Sequence, residues 1–304
     1  MVATGPVLRR GDDLARKRTS RRFTLLSAVF LAATVAGVVV LVARSEQGVP
    51  PSLGRPSAGP PRFLAESDAW PSVVAIVRTW AAETSPYDAY LCAGTIVSLG
   101  VVVTAAHCLM HYGAEDLSIV AGTSNLCDSS GTLLTVTDVI VSDRYSDTDP
   151  TSEDLAVVRF DAGTLATESM AVDSSAHWVE AGSEAIVVGW GAVEPGTRSS
   201  CKLVESRPQL HSRTECVRTL ESRAEIHLVA WQLCAGGPNG DSCGGDSGGP
   251  LVVRSADSPS LRLIAVVSWG GRCLATSWGG VYTDLSGLGR LVSDLGGTIA
   301  AESP

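Results

Sequence analysis

Three short motifs carry the residue types that acyl transfer requires. His107 lies in the run TAAHC, Asp154 in the run EDLAVV and Ser247 in the glycine-rich run GGDSGGP. A serine hydroxyl becomes an effective nucleophile when histidine takes its proton, and a buried carboxylate holds that imidazole in the required tautomer. Each motif alone is more often structural, but all three together, in an exported β-rich chain, predict a Ser/His/Asp site.

The glycines around Ser247 have a separate predicted role. They allow a tight turn, so that the backbone N–H groups of Gly245 and Ser247 can point at one developing oxyanion. The sequence therefore predicts both a nucleophile and an oxyanion hole in this loop.

The elements that must position these residues are predicted to be β-strands. Short apolar runs recur after about residue 63 and are separated by Gly, Asp, Ser and Pro, which is typical of a sandwich or barrel. Near the end, Leu285, Leu288, Leu291, Val292 and Leu295 recur at helical spacing and predict one short C-terminal helix. We expect an all-β protein.

The first 62 residues divide into three segments before a predicted domain at 63–304. Residues 1–22 are a cytoplasmic basic segment with seven Lys/Arg, residues 23–43 are uncharged and long enough to cross a bilayer, and residues 44–62 form a Pro/Gly/Ser linker. We predict a transmembrane helix at 23–43 that anchors an exported domain. A cleaved signal peptide, which would release a secreted protein, is the alternative.

Charge and cysteine usage exclude several functions. The net charge is −9 although the N-terminal segment is basic, so the exported part is acidic and nucleic acid is not an expected partner. All eight cysteines follow the apolar segment, and no close pair has zinc-ribbon or redox spacing. Disulfides in an oxidising compartment are predicted, with no metal and no cofactor.

From about Trp70 to Ala300 the chain resembles the chymotrypsin-like (trypsin-type) serine proteases. The resemblance implies two six-stranded antiparallel β-barrels with the active site in the cleft between them. It implies a serine endopeptidase that hydrolyses protein or peptide substrates through an acyl-enzyme, with His107, Asp154 and Ser247 as the catalytic triad. It does not predict an oligomeric state.

The same resemblance implies most of the disulfide pattern. The expected bridges are Cys92–Cys108, Cys216–Cys234 and Cys243–Cys273. The pairing of Cys127 and Cys201, which match none of these bridges, stays open, a bond between the two included.

The resemblance also implies a substrate pocket. Asp241 stands where trypsin-like relatives have an aspartate at the pocket floor, and Ser268 lies in the segment that pairs with the substrate backbone. Gly270 and Gly280 match wall positions that must be small. The pocket is therefore predicted to take Arg or Lys at the cleavage site.

Three departures from the family pattern affect these expectations. Ala185 and Val253 stand where many vertebrate members have a bridging cysteine pair, so packing is expected to replace that bridge. The loop 122–132 lacks the paired glutamates of a calcium loop, so no calcium is expected.

Asp246 matches the family's activation aspartate, yet the usual amine-bearing N-terminal sequence is absent. We expect cleavage after Arg62 to supply the amine; the alternative is an internal arginine facing Asp246 in an uncut chain.

Two other functions compete with the endopeptidase. A catalytically silent binding module can share this fold. An esterase of the α/β-hydrolase type would carry Gly-x-Ser-x-Gly and the order Ser, Asp, His, and neither occurs here.

Overall fold

The structure is a computed structural model, and it describes nine stretches of the chain. They are residues 62–66, 68–128, 130–174, 181–224, 227–237, 240–254, 260–270, 273–274 and 279–294. The predicted basic segment, the apolar segment 23–43 and nearly all of the linker lie outside these residues. In the described part of the chain, no helix combines the length and apolar character needed to cross a bilayer.

Short strands dominate the described residues, as the recurring apolar runs predicted. The strands are β1 (Arg62–Leu64), β2 (Val73–Arg78), β3 (Tyr90–Ser98), β4 (Val101–Thr104), β5 (Leu117–Ala121), β6 (Thr132–Val141), β7 (Ala156–Phe160), β8 (Ala185–Gly189), β9 (Val204–Ser206), β10 (Gln209–Leu210), β11 (Gln232–Gly236), β12 (Pro250–Arg254), β13 (Leu261–Gly270) and β14 (Gly280–Asp284). The helices are α1 (Thr79–Ala82), α2 (Pro86–Ala89), α3 (Arg213–Ala224) and α4 (Leu288–Asp294).

Six strands close into an antiparallel barrel in the order β2-β3-β4-β7-β6-β5. β2, β4 and β7 are rich in valine, whose branched side chain suits a pleated and buried surface. All four residues of β4 are buried. Because β4 lies between β3 and β7, the chain that leaves its end is held firmly in place.

The second sheet has eight strands in the order β1-β9-β8-β12-β13-β14-β11-β10. It is a half-barrel, so the expectation of a second closed six-stranded barrel is corrected. Its regular pairing is interrupted between β9 and β10, where Pro208 has no N–H to donate to a ladder. The isolated bridge between Glu184 and Gln209 continues the β8–β9 pairing past that interruption, and the carbonyl of Pro208 still accepts the N–H of Ala185 at 2.8 Å.

The C-terminal helix lies where its periodicity predicted it. α4 begins at Leu288 and ends at Asp294, and its leucine and valine side chains at 288, 291 and 292 are buried in the core. The position of Leu295 lies outside the described residues.

Four disulfides link the described residues. They are Cys92–Cys108, Cys127–Cys201, Cys216–Cys234 and Cys243–Cys273. The open pairing of Cys127 and Cys201 is thus a bond between the two. Ala185 and Val253 lie directly opposite each other on β8 and β12, and both are buried, so apolar packing occupies the place of a bridge.

Candidate active site

His107 lies in a single 3₁₀ turn, Ala106–Cys108, directly after β4. The next residue is bonded to Cys92 on β3, so a disulfide ties the turn to the barrel wall. The side chain of His107 is about one-third exposed. The turn thus presents a partly accessible imidazole on a rigid support.

Asp154 precedes β7 and faces this turn. One carboxylate oxygen accepts the backbone N–H of His107 at 2.8 Å, and the other lies 2.8 Å from Nδ1 of the same residue. The hydroxyl of Ser268 on β13 donates to that second oxygen at 2.5 Å. Burial by itself raises the pKa of Asp154, but its hydrogen bonds with His107 and Ser268 and its attraction to the imidazole bring the pKa below its usual value.

An ionised Asp154 determines how the imidazole is oriented. A carboxylate accepts and does not donate, so Nδ1 of His107 must carry its proton. In the neutral ring Nε2 then holds the free lone pair and can accept a proton. The pair therefore has the arrangement of a carboxylate-oriented general base.

Ser247 lies in the loop before β12, between the two sheets. Its carbonyl accepts the N–H of Ala93 on β3, and the N–H of Gly248 donates to the carbonyl of Val267 on β13, both at 2.9 Å. The loop is thus bonded to the barrel on one side and to the half-barrel on the other. Its half-buried serine is held by the backbone rather than by its side chain.

The structure does not join Ser247 to His107 by a hydrogen bond. Within the described residues the Ser247 hydroxyl makes no hydrogen bond, and Nε2 of His107 lies 3.7 Å from the sulfur of Cys108. Hydrogen bonds between a nucleophile and its base are often long before substrate binds, so a missing Ser247–His107 hydrogen bond is compatible with a catalytic pair. The Asp154–His107 contact is formed, and the Ser247 contact is not.

The backbone donors predicted for an oxyanion hole are unoccupied. In the described part of the chain, neither Gly245 nor Ser247 uses its N–H in a hydrogen bond. Gly245 has a φ of +97°, a conformation that glycine adopts readily. Its carbonyl accepts the hydroxyl of Tyr90 at 2.7 Å, which fixes the orientation of the loop. Sequence reasoning missed this tyrosine, because nothing in its local motif marks it.

Asp241 is almost completely buried beside this loop. One carboxylate oxygen accepts the N–H of Leu274 at 2.8 Å, and the other has no hydrogen-bond partner in the described residues. Burial raises the pKa of Asp241 to about 7, although the N–H groups of Leu274 and Ser242 and the charge of Arg62 lower it in part. An unpaired buried oxygen is a strong acceptor for a cation that reaches it.

The glycines predicted for the pocket walls lie opposite each other on neighbouring strands. Gly270 on β13 pairs with Gly280 on β14, and a Cβ on Gly280 would come within 2.7 Å of the Ser242 hydroxyl. Gly236 at the end of β11 was not predicted, yet a Cβ there would lie 2.9 Å from the Asp241 carboxylate. Side chains at Gly236 and Gly280 would therefore crowd the segment that carries the buried acid.

Asp246 is fully buried and its carboxylate contacts the Arg62 guanidinium at 2.7 Å.

One grouping of three potential metal ligands occurs in the described residues, formed by Cys92, His107 and Cys108. Its two cysteines are bonded to each other, so they offer no thiolate to a metal.

The closed barrel, the half-barrel and the disulfides define a chymotrypsin-like serine protease fold. Residues 65–291 match the family model described as Trypsin, so the chain belongs to the trypsin family.

Named relatives agree with this assignment. The chain is similar to trypsin epsilon of Drosophila erecta, at 35% identity over 66% of this chain and 75% of the relative. It is 32% identical to hypodermin-A of Hypoderma lineatum over 67% of this chain and 77% of the relative. Trypsin of Saccharopolyspora erythraea is 30% identical over 65% of this chain and 83% of the relative.

Proposed function

We propose that this chain is a serine endopeptidase that cleaves protein substrates after Arg or Lys. The observation that carries the proposal is the geometry of Asp154 and His107, in which an ionised carboxylate holds Nδ1 and leaves Nε2 as a base. Membership of the trypsin family supports the same reaction class.

The reaction begins at Ser247. Nε2 of His107 takes the hydroxyl proton while the serine oxygen bonds to the carbonyl carbon of the substrate. The carbonyl oxygen becomes an oxyanion, which the free N–H groups of Gly245 and Ser247 stabilise. Asp154 stabilises the imidazolium that forms, because its carboxylate stays charged.

The protonated His107 then gives its proton to the departing amine, and the C–N bond breaks. This leaves an ester between the substrate acyl group and Ser247. Water loses a proton to Nε2 and attacks the ester, and the same proton returns to the serine oxygen as the acid is released. His107 returns each proton that it takes, and these steps use no cofactor.

Substrate choice is assigned to Asp241. A cationic side chain that reaches its unpaired carboxylate oxygen would form a charge-assisted hydrogen bond inside the protein. The absence of side chains at Gly236, Gly270 and Gly280 supports the assignment, because a Cβ at 236 or 280 would crowd Asp241 or the neighbouring Ser242. A peptide library should therefore show cleavage after Arg and Lys, and a preference for large apolar residues would contradict this assignment.

The nucleophile is tested by Ser247→Ala. We expect peptide hydrolysis to fall by about 10⁴-fold or more, because triad members act as a unit, while thermal unfolding stays unchanged. A serine-reactive aryl phosphonate with an Arg-like side chain should label the wild-type chain and fail to label the variant. Near-normal turnover in the variant would overturn the triad.

The catalytically silent binding module remains the second candidate, because the Ser247–His107 hydrogen bond is not formed. The phosphonate separates the two functions. A silent module would bind peptides without being labelled, whereas an endopeptidase would be labelled at Ser247.

Anchoring in a membrane through residues 23–43 is a further part of the proposal. It is tested by fractionating the full-length protein with and without detergent.

A further inference from the structure

Asp246 is a fully buried carboxylate directly before the proposed nucleophile. It accepts the N–H of Gly191 at 2.9 Å and the N–H of Cys243 at 2.8 Å. A Cβ on Gly189 would come within 2.7 Å of it, and a Cβ on Gly191 would overlap it. The segment 189–191 is therefore shaped around this carboxylate, and through Cys243 the carboxylate also holds the segment that follows Asp241.

Burial raises the pKa of Asp246, so a nearby cation is needed to keep it ionised. Arg62 supplies that cation. Its side chain is 1% exposed, and one guanidinium nitrogen lies 2.7 Å from the Asp246 carboxylate. A second nitrogen donates to the backbone carbonyl of Asp241 at 2.6 Å. One guanidinium thus joins the loop before β12 that carries Ser247 (the nucleophile loop) to the predicted floor of the substrate pocket.

The main chain delivers Arg62 to this position. β1 adds to the edge of the half-barrel beside β9, with Arg62 opposite Ser206. The hydroxyl of Ser206 in turn accepts the N–H of Asp241 at 2.8 Å. The arginine therefore reaches the pocket from within a paired strand, and no chain terminus is required.

We propose that Arg62 is a positioning residue whose internal guanidinium orders the substrate pocket and the Ser247 loop in the uncut chain. The proposal rests on the endopeptidase function and concerns how that same site is formed. It replaces the expected cleavage after Arg62 with the second alternative, an internal arginine. Cutting between Arg62 and Phe63 would detach the cation from the domain, so such a cut would inactivate the enzyme.

The burial of Arg62 also protects the peptide bond between Arg62 and Phe63 from cleavage. A protease that cleaves after arginine must take the side chain into its own pocket, and here that side chain is already enclosed and paired. Self-cleavage at this position would require β1 to leave the sheet first.

The test is pocket formation in a chain that cannot cut itself. The full-length Ser247→Ala protein is confirmed uncut by mass spectrometry and titrated calorimetrically with benzamidine, a small aromatic cation. We expect it to bind, and we expect Arg62→Gln in the same background to weaken binding about 100-fold, because one partner of a buried ion pair is lost. Arg62→Lys should lie between them, since ammonium keeps the charge but lacks the fork that reaches two acceptors.

The matched control is Arg207→Gln. Arg207 lies next to β9, pairs with Glu184 and Glu205, and is about half exposed. We expect it to keep the benzamidine affinity of the parent. Thermal unfolding of every variant shows which ones are folded; if Arg62→Gln is not, the comparison moves to Arg62→Lys, for which we expect about tenfold weaker binding.

Three results would overturn the role of Arg62. They are no benzamidine binding by the uncut parent, unchanged binding in Arg62→Gln, and parental binding in Arg62→Lys where Gln does not fold. The endopeptidase function fails separately, if an uncut chain that binds benzamidine is neither labelled by the phosphonate nor able to hydrolyse Arg peptides.

Discussion

At the scale of single residues, the site depends on which buried carboxylates are charged. Asp154 and Asp246 lie within hydrogen-bond reach of a histidine and an arginine respectively, whereas Asp241 has one oxygen without a partner in the described residues. The pKa falls for Asp154, where the contacts with His107 and Ser268 outweigh burial, and it rises for Asp241 and Asp246, where burial is the largest cause. Orientation of the base and recognition of a cation are thus assigned to different acids.

The pKa of Asp241 leads to a prediction about specificity and pH. Because burial raises this pKa to about 7, the carboxyl is neutral in acid and becomes charged as the pH rises through that value. Preference for a cationic side chain should rise over the same interval. We expect the ratio of kcat/KM for an Arg peptide to that for its neutral citrulline counterpart to increase with a midpoint near pH 7.

The ratio isolates Asp241, since titration of the catalytic groups affects both peptides equally. Asp241→Asn is the control, and its ratio should be low and independent of pH. A flat ratio in the wild type would contradict the assignment of Asp241 to the pocket floor.

Ser268 contacts Asp154, which its predicted place in the substrate-pairing segment did not suggest. Its hydroxyl donates to Asp154, so Ser268→Ala should leave that carboxylate less well held and raise its pKa. We expect kcat to fall about tenfold, the size of one hydrogen bond to a charged group. Steady-state kinetics would test this, with Ser118→Ala, a buried serine in the barrel, as the control that keeps kcat. Equal kcat in both variants would contradict the role.

At the scale of elements, the nucleophile loop is held by close backbone approach to the barrel. Gly248 has a φ of +72°, and a Cβ there would lie 2.5 Å from the carbonyl oxygen of Ala93 and overlap the hydroxyl of Thr104. Any side chain at this position must push the loop away from β3 and β4. The loop and the turn that carries His107 would then separate.

Gly248→Ala should therefore reduce activity far more than its conformational strain alone explains. We expect kcat/KM to drop by about 100-fold or more, since small displacements of reacting groups have costs of this size. Gly163→Ala is the matched control, because Gly163 also has a positive φ of +49° but nothing lies within 4 Å of its Cβ position. It should lose at most about 1–2 kcal/mol of stability and keep its activity. Comparable activity losses in the two variants would argue against the close approach.

At the scale of the whole molecule, the site lies where the barrel and the half-barrel meet. His107 and Asp154 belong to the barrel, whereas Ser247 and Ser268 belong to the half-barrel. Among the four disulfides, Cys127–Cys201 joins the β5–β6 connection to the residues before β9 and so links the two sheets. The other three lie within one sheet or its loops.

Removing this link should affect stability more than chemistry. The bond spans 74 residues of sequence, and releasing a loop of that length allows the unfolded chain much more freedom. We expect the double variant Cys127→Ser/Cys201→Ser to lose about 4 kcal/mol of unfolding free energy in denaturant titrations while it keeps kcat near that of the wild type. Unchanged stability would show that the two sheets are held together without the bond.

Much of this protein was predictable from sequence because the information is local. His107, Asp154 and Ser247 each lie in a short motif whose neighbours form the supporting turn or strand, and recurring apolar runs indicated the β-rich fold. The glycines at 270 and 280 were also predicted, from their family positions. Each of these inferences requires only nearby residues or a familiar spacing.

Other features depended on contacts between distant parts of the chain. Arg62 looked like a cleavage site in a linker, yet its guanidinium contacts the carbonyl of a residue 179 positions later in the sequence. The hydrogen bond from Ser268 to Asp154 and the interrupted strand pairing at Pro208 are similar cases. A motif specifies side-chain chemistry, but the partner of a buried charge is chosen by which strands become neighbours, and that depends on how the whole sheet folds.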